Sequence, residues 1–360
     1  MVSIQVVVWL SKVTSSLYAR MNISRMGVKI LPDITPTRWR SGAKHPQLSF
    51  IFHGINACAS NDNNETTRYQ LSDEISGLSE LRGGYGHGTG YRVVALDIDG
   101  TIVGPDLVLS PRLRAAVAAT QAVGATVLIA TGRILGSALV FARSLKTNGP
   151  LVCYQGAVTA DPSSGQVLRH ARMDPELVGE ALGLLDGGSG QVSMLLDDDM
   201  YVEARSEWAE GYALRMEQEL HVVDSLADVD VSDGGPTLIL TVDEPGPTGL
   251  RAERLTRHFG DRALVTHSLP HFCEVASPDA GKLKALTTVL DGLGVTPDQV
   301  VAFGDGVGDV EMLGWAGLGI AVGDAHPAAR NSADILIPGP CADGVAQALE
   351  ELLSRNLLSD

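Results

Sequence analysis

The chain has 360 residues and a mass of 37.9 kDa, room for about two domains and a sizeable core. Its 44% hydrophobic and 19% charged residues exclude a disordered or collagen-like chain, and no apolar run approaches the ~18 residues needed to span a bilayer. A formal net charge of −16 makes binding to nucleic acid through phosphate neutralisation a poor expectation.

That charge is uneven. Residues 1–90 carry +3 and the remainder −19. The first ninety residues show no steady periodicity. They contain Pro32, Pro36, Pro46 and the glycine-rich run Gly83 to Gly90. That run precedes an apolar strand, whereas a dinucleotide-binding glycine loop must follow one, so it reads as a flexible linker. Residues 1–90 are expected to be a disordered leader and linker. Before Lys44 the only acid is Asp33, among six basic residues, so residues 1–45 could serve organelle import. A cytoplasmic location is the first expectation. The four cysteines, Cys58, Cys153, Cys273 and Cys341, show no C-x-x-C spacing, which argues against zinc and fits a reducing compartment.

From Tyr91 the pattern changes. Val93 to Leu96 is a short apolar run suited to a strand buried on both faces. Ser110-Pro111 opens a helix that runs to Gly124. Thr126 to Ala130 and Leu151 to Tyr154 are further strands, with a helix between them. The alternation returns late. Lys282 to Leu290 reads as a helix, Val300 to Phe303 as a strand and Val310 to Trp315 as a helix. Leu318 to Val322 and Ile335 to Ile337 are strands, and Gly344 to Leu353 is a helix. This predicts an α/β fold, a doubly wound parallel sheet covered on both faces, built from residues 91–171 and 278–360.

Residues 172–277 differ in style. Gln191 to Leu196 and Tyr201 to Ala204 flank Asp197-Asp198-Asp199 as a hairpin with an acidic turn. Pro236 to Val242 and Ala263 to His267 read as strands, and Glu176 to Leu185 and Leu250 to Phe259 as helices. An α/β domain inserted into the first is expected, a cap over it.

Four places in the sheet domain carry chemistry, each beside an apolar strand or opening a helix. Ligands gather at the carboxyl ends of parallel strands, so the four should converge. Asp97-Ile98-Asp99-Gly100-Thr101 offers two carboxylates two residues apart, one able to attack phosphorus and the other to move a proton. Their repulsion calls for a hard cation such as Mg²⁺. Thr131-Gly132-Arg133 offers a hydroxyl and backbone N–H groups to a phosphate. Lys282 could hold a transferring phosphoryl oxygen, while Lys284 faces elsewhere. Gly304 to Asp309 supplies Asp305 and Asp309 as metal-site carboxylates. Taken singly, each admits a plain turn or a solvated side chain.

Together and in this order they resemble the haloacid dehalogenase superfamily, and most closely its Cof-type subfamily, whose type IIB cap lies between the second and third motifs. The likeness covers residues ~91–350 and extends to Gly281-Lys282-Leu283-Lys284, Ala321-Val322-Gly323-Asp324-Ala325 and Asp343-Gly344-Val345-Ala346. The resemblance implies that Asp97 is the nucleophile and Asp99 the acid/base, and that Thr131, Gly132 and Lys282 bind the phosphoryl group. It also implies that Asp97, the backbone carbonyl of Asp99 and Asp305 hold Mg²⁺, with Asp309 beside them. Gly308, Gln155 and Asp324 stand where the family commonly has Asn, and the first predicts a weaker metal loop.

The expected activity is Mg²⁺-dependent hydrolysis of a small phosphorylated metabolite through an aspartyl-phosphate, with neither nucleic acid nor membrane as partner. A phosphosugar mutase of the same fold, or a binding protein with attenuated catalysis, are the alternatives. A receiver domain also combines Asp, Thr and Lys, but the inserted cap argues against it. In the cap, Tyr201, Arg205, Trp208 and His271 are candidates for either substrate contact or structure.

Overall fold

The computed structural model describes residues 4–12, 15–24, 27–31, 90–197, 199–216, 218–232 and 234–359. Two units divide the chain, Met1–Ile55 and Asn56–Asp360.

In the first unit, β1 (Ile4–Lys12), β2 (Ser15–Ser24) and β3 (Gly27–Leu31) form an antiparallel meander, Val8 opposite Ala19 and Met21 opposite Ile30. The sequence reading expects disorder here. The β-branched run at Val6, Val7 and Val8 is the local preference that it passes over. The glycine-rich junction before Gly90 and residues 32–45 of the import segment lie outside the described residues.

The second unit holds two sheets. Its elements begin with β4 (Val93–Leu96), α1 (Pro111–Ala122), β5 (Thr126–Ala130), α2 (Leu135–Leu145), β6 (Leu151–Cys153), β7 (Val158–Ala160) and β8 (Val167–His170). The inserted part follows as α3 (Pro175–Leu185), β9 (Gln191–Leu196), β10 (Asp199–Val202), α4 (Glu207–Met216), β11 (Glu219–Val222), β12 (Leu238–Val242), α5 (Pro245–Phe259), β13 (Leu264–Leu269) and β14 (Phe272–Ala276). The chain then returns with α6 (Lys282–Leu293), β15 (Val300–Gly304), α7 (Val310–Trp315), β16 (Leu318–Val322), α8 (Pro327–Ser332), β17 (Ile335–Ile337) and α9 (Gly344–Ser354).

The larger sheet has the order β17-β16-β15-β4-β5-β6-β7-β8. It is parallel from β17 to β6 and antiparallel at β7 and β8. Alternate residues of β4 go to opposite cores. Val94 and Leu96 pack with residues of α1, α2 and α9, while Val93 and Ala95 pack with Leu286 and Leu290 of α6 and Met312 of α7. Burying each large side chain contributes roughly 1.5–3 kcal/mol, which is why the strands read as continuous apolar runs. Ser110 caps α1, its Oγ accepting from the Leu113 N–H at 3.0 Å.

The smaller sheet has the order β11-β10-β9-β12-β14-β13. Helices α3 and α5 cover one face through Leu177, Ala181, Leu255 and Phe259, and α4 packs Ala209 and Ala213 on Met200 and Val202. The hairpin strand starts at Asp199, two residues before the expected Tyr201. Asp197 takes a left-handed φ of 56°, which tightens the turn and sends Asp199 into the ladder opposite Leu196. Among the described residues no helix is long and apolar enough to cross a membrane.

Candidate active site

Four loops meet at the carboxyl ends of β4, β5 and β15, which are adjacent strands. Asp97 follows β4 directly, and its N–H donates to the Phe303 carbonyl of β15 at 3.1 Å. The chain then turns at Gly100, whose φ is +77° and where an added Cβ would stand 2.2 Å from Asp305 Oδ2. Only glycine allows both that conformation and that approach.

Lys282 is the first residue of α6. Its Nζ donates to Asp97 Oδ1 and to Asp309 Oδ1, both at 2.7 Å. The ammonium side chain is 5% exposed, and those of Asp97 and Asp309 are 7% and 2% exposed. Asp309 also gathers its own loop, its Oδ2 accepting the N–H groups of Asp305 at 3.2 Å and Gly306 at 2.9 Å. Thr101, unremarked in the sequence reading apart from its place in the first motif, donates from Oγ1 to Asp305 Oδ1 at 3.0 Å and leans on Asp97 Oδ2 at 3.4 Å.

Asp97, Asp305 and Asp309 each offer an oxygen within 4.8 Å of the others. Burial, with Asp309 and Asp305 as neighbours, pushes the Asp97 carboxyl well above the usual range despite Lys282. Burial and Asp309 push Asp305 up to about 6. Burial disfavours the ammonium of Lys282, yet Asp309 and Asp97 outweigh it and raise its pKa. One ammonium thus faces three crowded carboxylates. A further cation with a preference for hard oxygen donors fits this set.

Asp99 is placed differently. Its side chain is 55% exposed and turns away from the cluster to Arg133. Arg133 Nε and Nη2 donate to its two oxygens at 2.7 and 2.6 Å. Arg133 is itself held by Ser137 Oγ at 2.8 Å and lies over the Phe141 ring, 4.7 Å from its centroid. Thr131 is buried, and its Oγ1 accepts the Arg133 N–H at 3.2 Å. Lys284 bonds Asp279 at the surface, and Asp324 is fully exposed, 4.0 Å from Arg330.

Above these loops lies a cavity of about 190 Å³. Its floor is Asp97, Asp99, Thr131, Gly132, Arg133, Lys282 and the loop from Asp305 to Asp309, and its cap side is Tyr212, Met216, Phe272 and Glu274. Gln155 lies between them, Nε2 3.5 Å from Glu274 Oε2. The four cap residues were missed by the sequence reading. Phe272 and Glu274 are two apart on a strand, and Tyr212 and Met216 four apart on a helix, spacings that put each pair on one face. The cap candidates named from sequence instead contact other cap groups. Tyr201 stacks on His221, Arg205 pairs with Glu210, and Trp208 lies against His271.

A family model for haloacid dehalogenase-like hydrolases matches residues 94–349. The chain belongs to this family. It is 30% identical over 274 residues to a pyridoxal phosphate phosphatase, YbhA of Escherichia coli, covering 71% of this chain and 96% of that one. It is 26% identical to the 5-amino-6-(5-phospho-D-ribitylamino)uracil phosphatase YcsE of Bacillus subtilis, covering 72% and 94%. Among solved structures, TM0651 of Thermotoga maritima superposes with a TM-score of 0.62 at 27% identity, covering 72% and 97%. With named phosphatases among such relatives, this haloacid dehalogenase-like hydrolase is a phosphoric monoester hydrolase.

Proposed function

We propose that the protein is a Mg²⁺-dependent phosphatase that hydrolyses a small phosphorylated metabolite through an aspartyl-phosphate on Asp97. The observation that carries the reading is the buried Lys282 ammonium, 2.7 Å from both Asp97 and Asp309 at the base of the capped cavity. A lysine fixed against the proposed nucleophile keeps one carboxylate oxygen oriented and meets the charge of an incoming phosphoryl group.

Asp97 and Asp305, with the backbone carbonyl of Asp99, would hold Mg²⁺, and Asp309 fixes their loop. When bound, the ion supplies neutralising charge to the phosphoryl oxygens. Asp97 attacks phosphorus, and the ester P–O bond breaks as Asp99, which takes a proton from solvent on swinging from Arg133 into the site, gives that proton to the leaving alkoxide. Asp99 then takes a proton from water, whose oxygen attacks phosphorus and releases Asp97 and inorganic phosphate. Thr131 Oγ1, the Gly132 N–H and Lys282 hold the equatorial oxygens. The inserted sheet excludes bulk water and meets the leaving group.

The test is release of inorganic phosphate from a panel of phosphorylated metabolites, with Mg²⁺ and after chelation. Turnover that needs Mg²⁺ supports the reading. Isomerised sugar phosphate without free phosphate would instead indicate a mutase, and binding without turnover an attenuated protein.

A further inference from the structure

We propose that the edge of the cap sheet holds a Zn²⁺ ion between Asp199, Glu219 and His221, a site separate from the active-site acids. It uses no cysteine, so the lack of C-x-x-C spacing does not bear on it.

Strands β10 and β11 are parallel neighbours, with Asp199 opposite Glu219 and Tyr201 opposite His221. Side chains repeat every two residues along a strand, so these four project from one face. Met200 and Val202 project from the other, where Ala209 and Ala213 of α4 cover them. The register thus sets two carboxylates and an imidazole side by side. One ligand atom from each of Asp199, Glu219 and His221 lies within 4.8 Å of the others. The Tyr201 ring stacks on the imidazole, centroids 4.8 Å apart and planes at 24°, and holds its plane.

Two observations set this cluster apart from ordinary surface acids. The first is an orphaned nitrogen. His221 Nε2 is sealed from water and makes no hydrogen bond. Asp199 Oδ2 is 3.2 Å away, yet the pair does not meet hydrogen-bond geometry. A buried polar atom left unpaired is costly, and a bound cation removes that cost. The separation fits one. With ligand bonds of about 2.0–2.2 Å, a tetrahedral zinc ion sets two of its ligand atoms about 3.3–3.5 Å apart. The second observation is uncompensated charge. Among the described residues neither Asp199 nor Glu219 pairs with a lysine or arginine. Imidazole with carboxylates suits Zn²⁺, whereas the all-carboxylate cluster of the active site suits Mg²⁺. Water takes the fourth place.

The consequence reaches the cap wall. Helix α4 joins β10 to β11 and carries Tyr212 and Met216 to the cavity. An ion bridging the two strands fastens both ends of that crossover.

The experiment measures Zn²⁺ binding to the full chain, stripped of metal by chelation and kept in excess Mg²⁺, by equilibrium dialysis with elemental analysis. X-ray absorption at the zinc edge then reads the ligands. The unmodified chain should bind Zn²⁺ with an imidazole in its shell, a ligand that the cluster of Asp97, Asp305 and Asp309 does not offer, and this readout needs no variant. His221→Gln should lose one equivalent together with the imidazole signal, while Asp305→Asn should keep both. Glu219→Gln, at an exposed position, should weaken that equivalent by about tenfold or more, since even groups one step removed from a metal are worth about ten- to a hundredfold in affinity. Hydrogen exchange at residues 219–222 should slow when Zn²⁺ is added. A zinc shell without imidazole in the unmodified chain, undiminished binding in folded His221→Gln, or loss of the imidazole-bound equivalent in Asp305→Asn would overturn the site. Exchange unaltered by bound zinc would overturn the clamp across the two strands.

Discussion

Gln155 and Gly308 share one space: a Cβ added to Gly308 would stand 3.1 Å from Gln155 Oε1. The longer carboxamide at one position lies where a side chain at the other would reach. Gly308 sits in the short turn Val307–Asp309, between the metal-loop acids, outside the left-handed region that only glycine adopts easily. An asparagine there can therefore keep the backbone, and its Cβ needs the Gln155 carboxamide to give way by a few tenths of an ångström.

Gly308→Asn is expected to lower the Mg²⁺ concentration for half-maximal activity by about threefold, the worth of one modest hydrogen bond. It would also restrict the loop, which as glycine loses more freedom on ordering. A Mg²⁺ titration of turnover checks this, with circular dichroism to show that the variant is folded. An unchanged or higher requirement would mean that glycine is no weakness of this site.

The Arg133–Asp99 pair makes a second prediction. Two hydrogen bonds of 2.6 and 2.7 Å orient the proposed acid/base. Lysine cannot reproduce that fork, so Arg133→Lys should lower kcat by about tenfold. Asp99→Asn should lower it about a hundred- to ten-thousandfold. Because Arg133 acts through Asp99, the double variant should be no slower than Asp99→Asn alone. Losses that multiply would show that Arg133 serves the reaction by another route.

The place of this site was legible because each chemical residue ends an apolar run or opens a helix. Asp97 follows Val93–Leu96, Thr131 follows Thr126–Ala130 and Asp305 follows the strand ending at Gly304. Once such strands are adjacent and parallel, their ends must meet. The grip of Arg133 on Asp99 was not legible, since it depends on rotamers and on Phe141 beneath the guanidinium. The cap wall was hidden for a different reason. Helix α4 does carry a helical stripe, Ala209, Tyr212, Ala213 and Met216, but two of its four members are small alanines, and exposed Trp208 beside Glu207 and Glu210 competes with it as the apolar marker. The first turn of α5, Pro245-Gly246-Pro247, reads as a break in sequence, although proline is well tolerated where the N–H has no helical partner.

Proton competition gives a third prediction. Burial and Asp309 raise Asp305 to about 6, above its unfolded value, so the stability that protonated Asp305 contributes to the metal-free protein is lost as pH rises from about 4 through 6. A cation restores it by pairing with the ionised carboxylates. Addition of Mg²⁺ should therefore raise the melting temperature more at pH 7.5 than at pH 5, and the Mg²⁺ requirement for turnover should climb steeply below pH 6. Thermal melts with and without Mg²⁺ at the two pH values measure this. An equal or larger gain at pH 5 would exclude Asp305 as the group that the cation displaces a proton from.

The central claim is that Asp97 itself carries the phosphoryl group. Rapid acid quench during turnover, followed by peptide mapping, reads it directly. The account predicts a phosphoryl adduct on the peptide containing Asp97, lost together with turnover in an Asp97→Asn preparation free of deamidation. A phosphoryl group on another residue, or turnover that persists in that preparation, would contradict it.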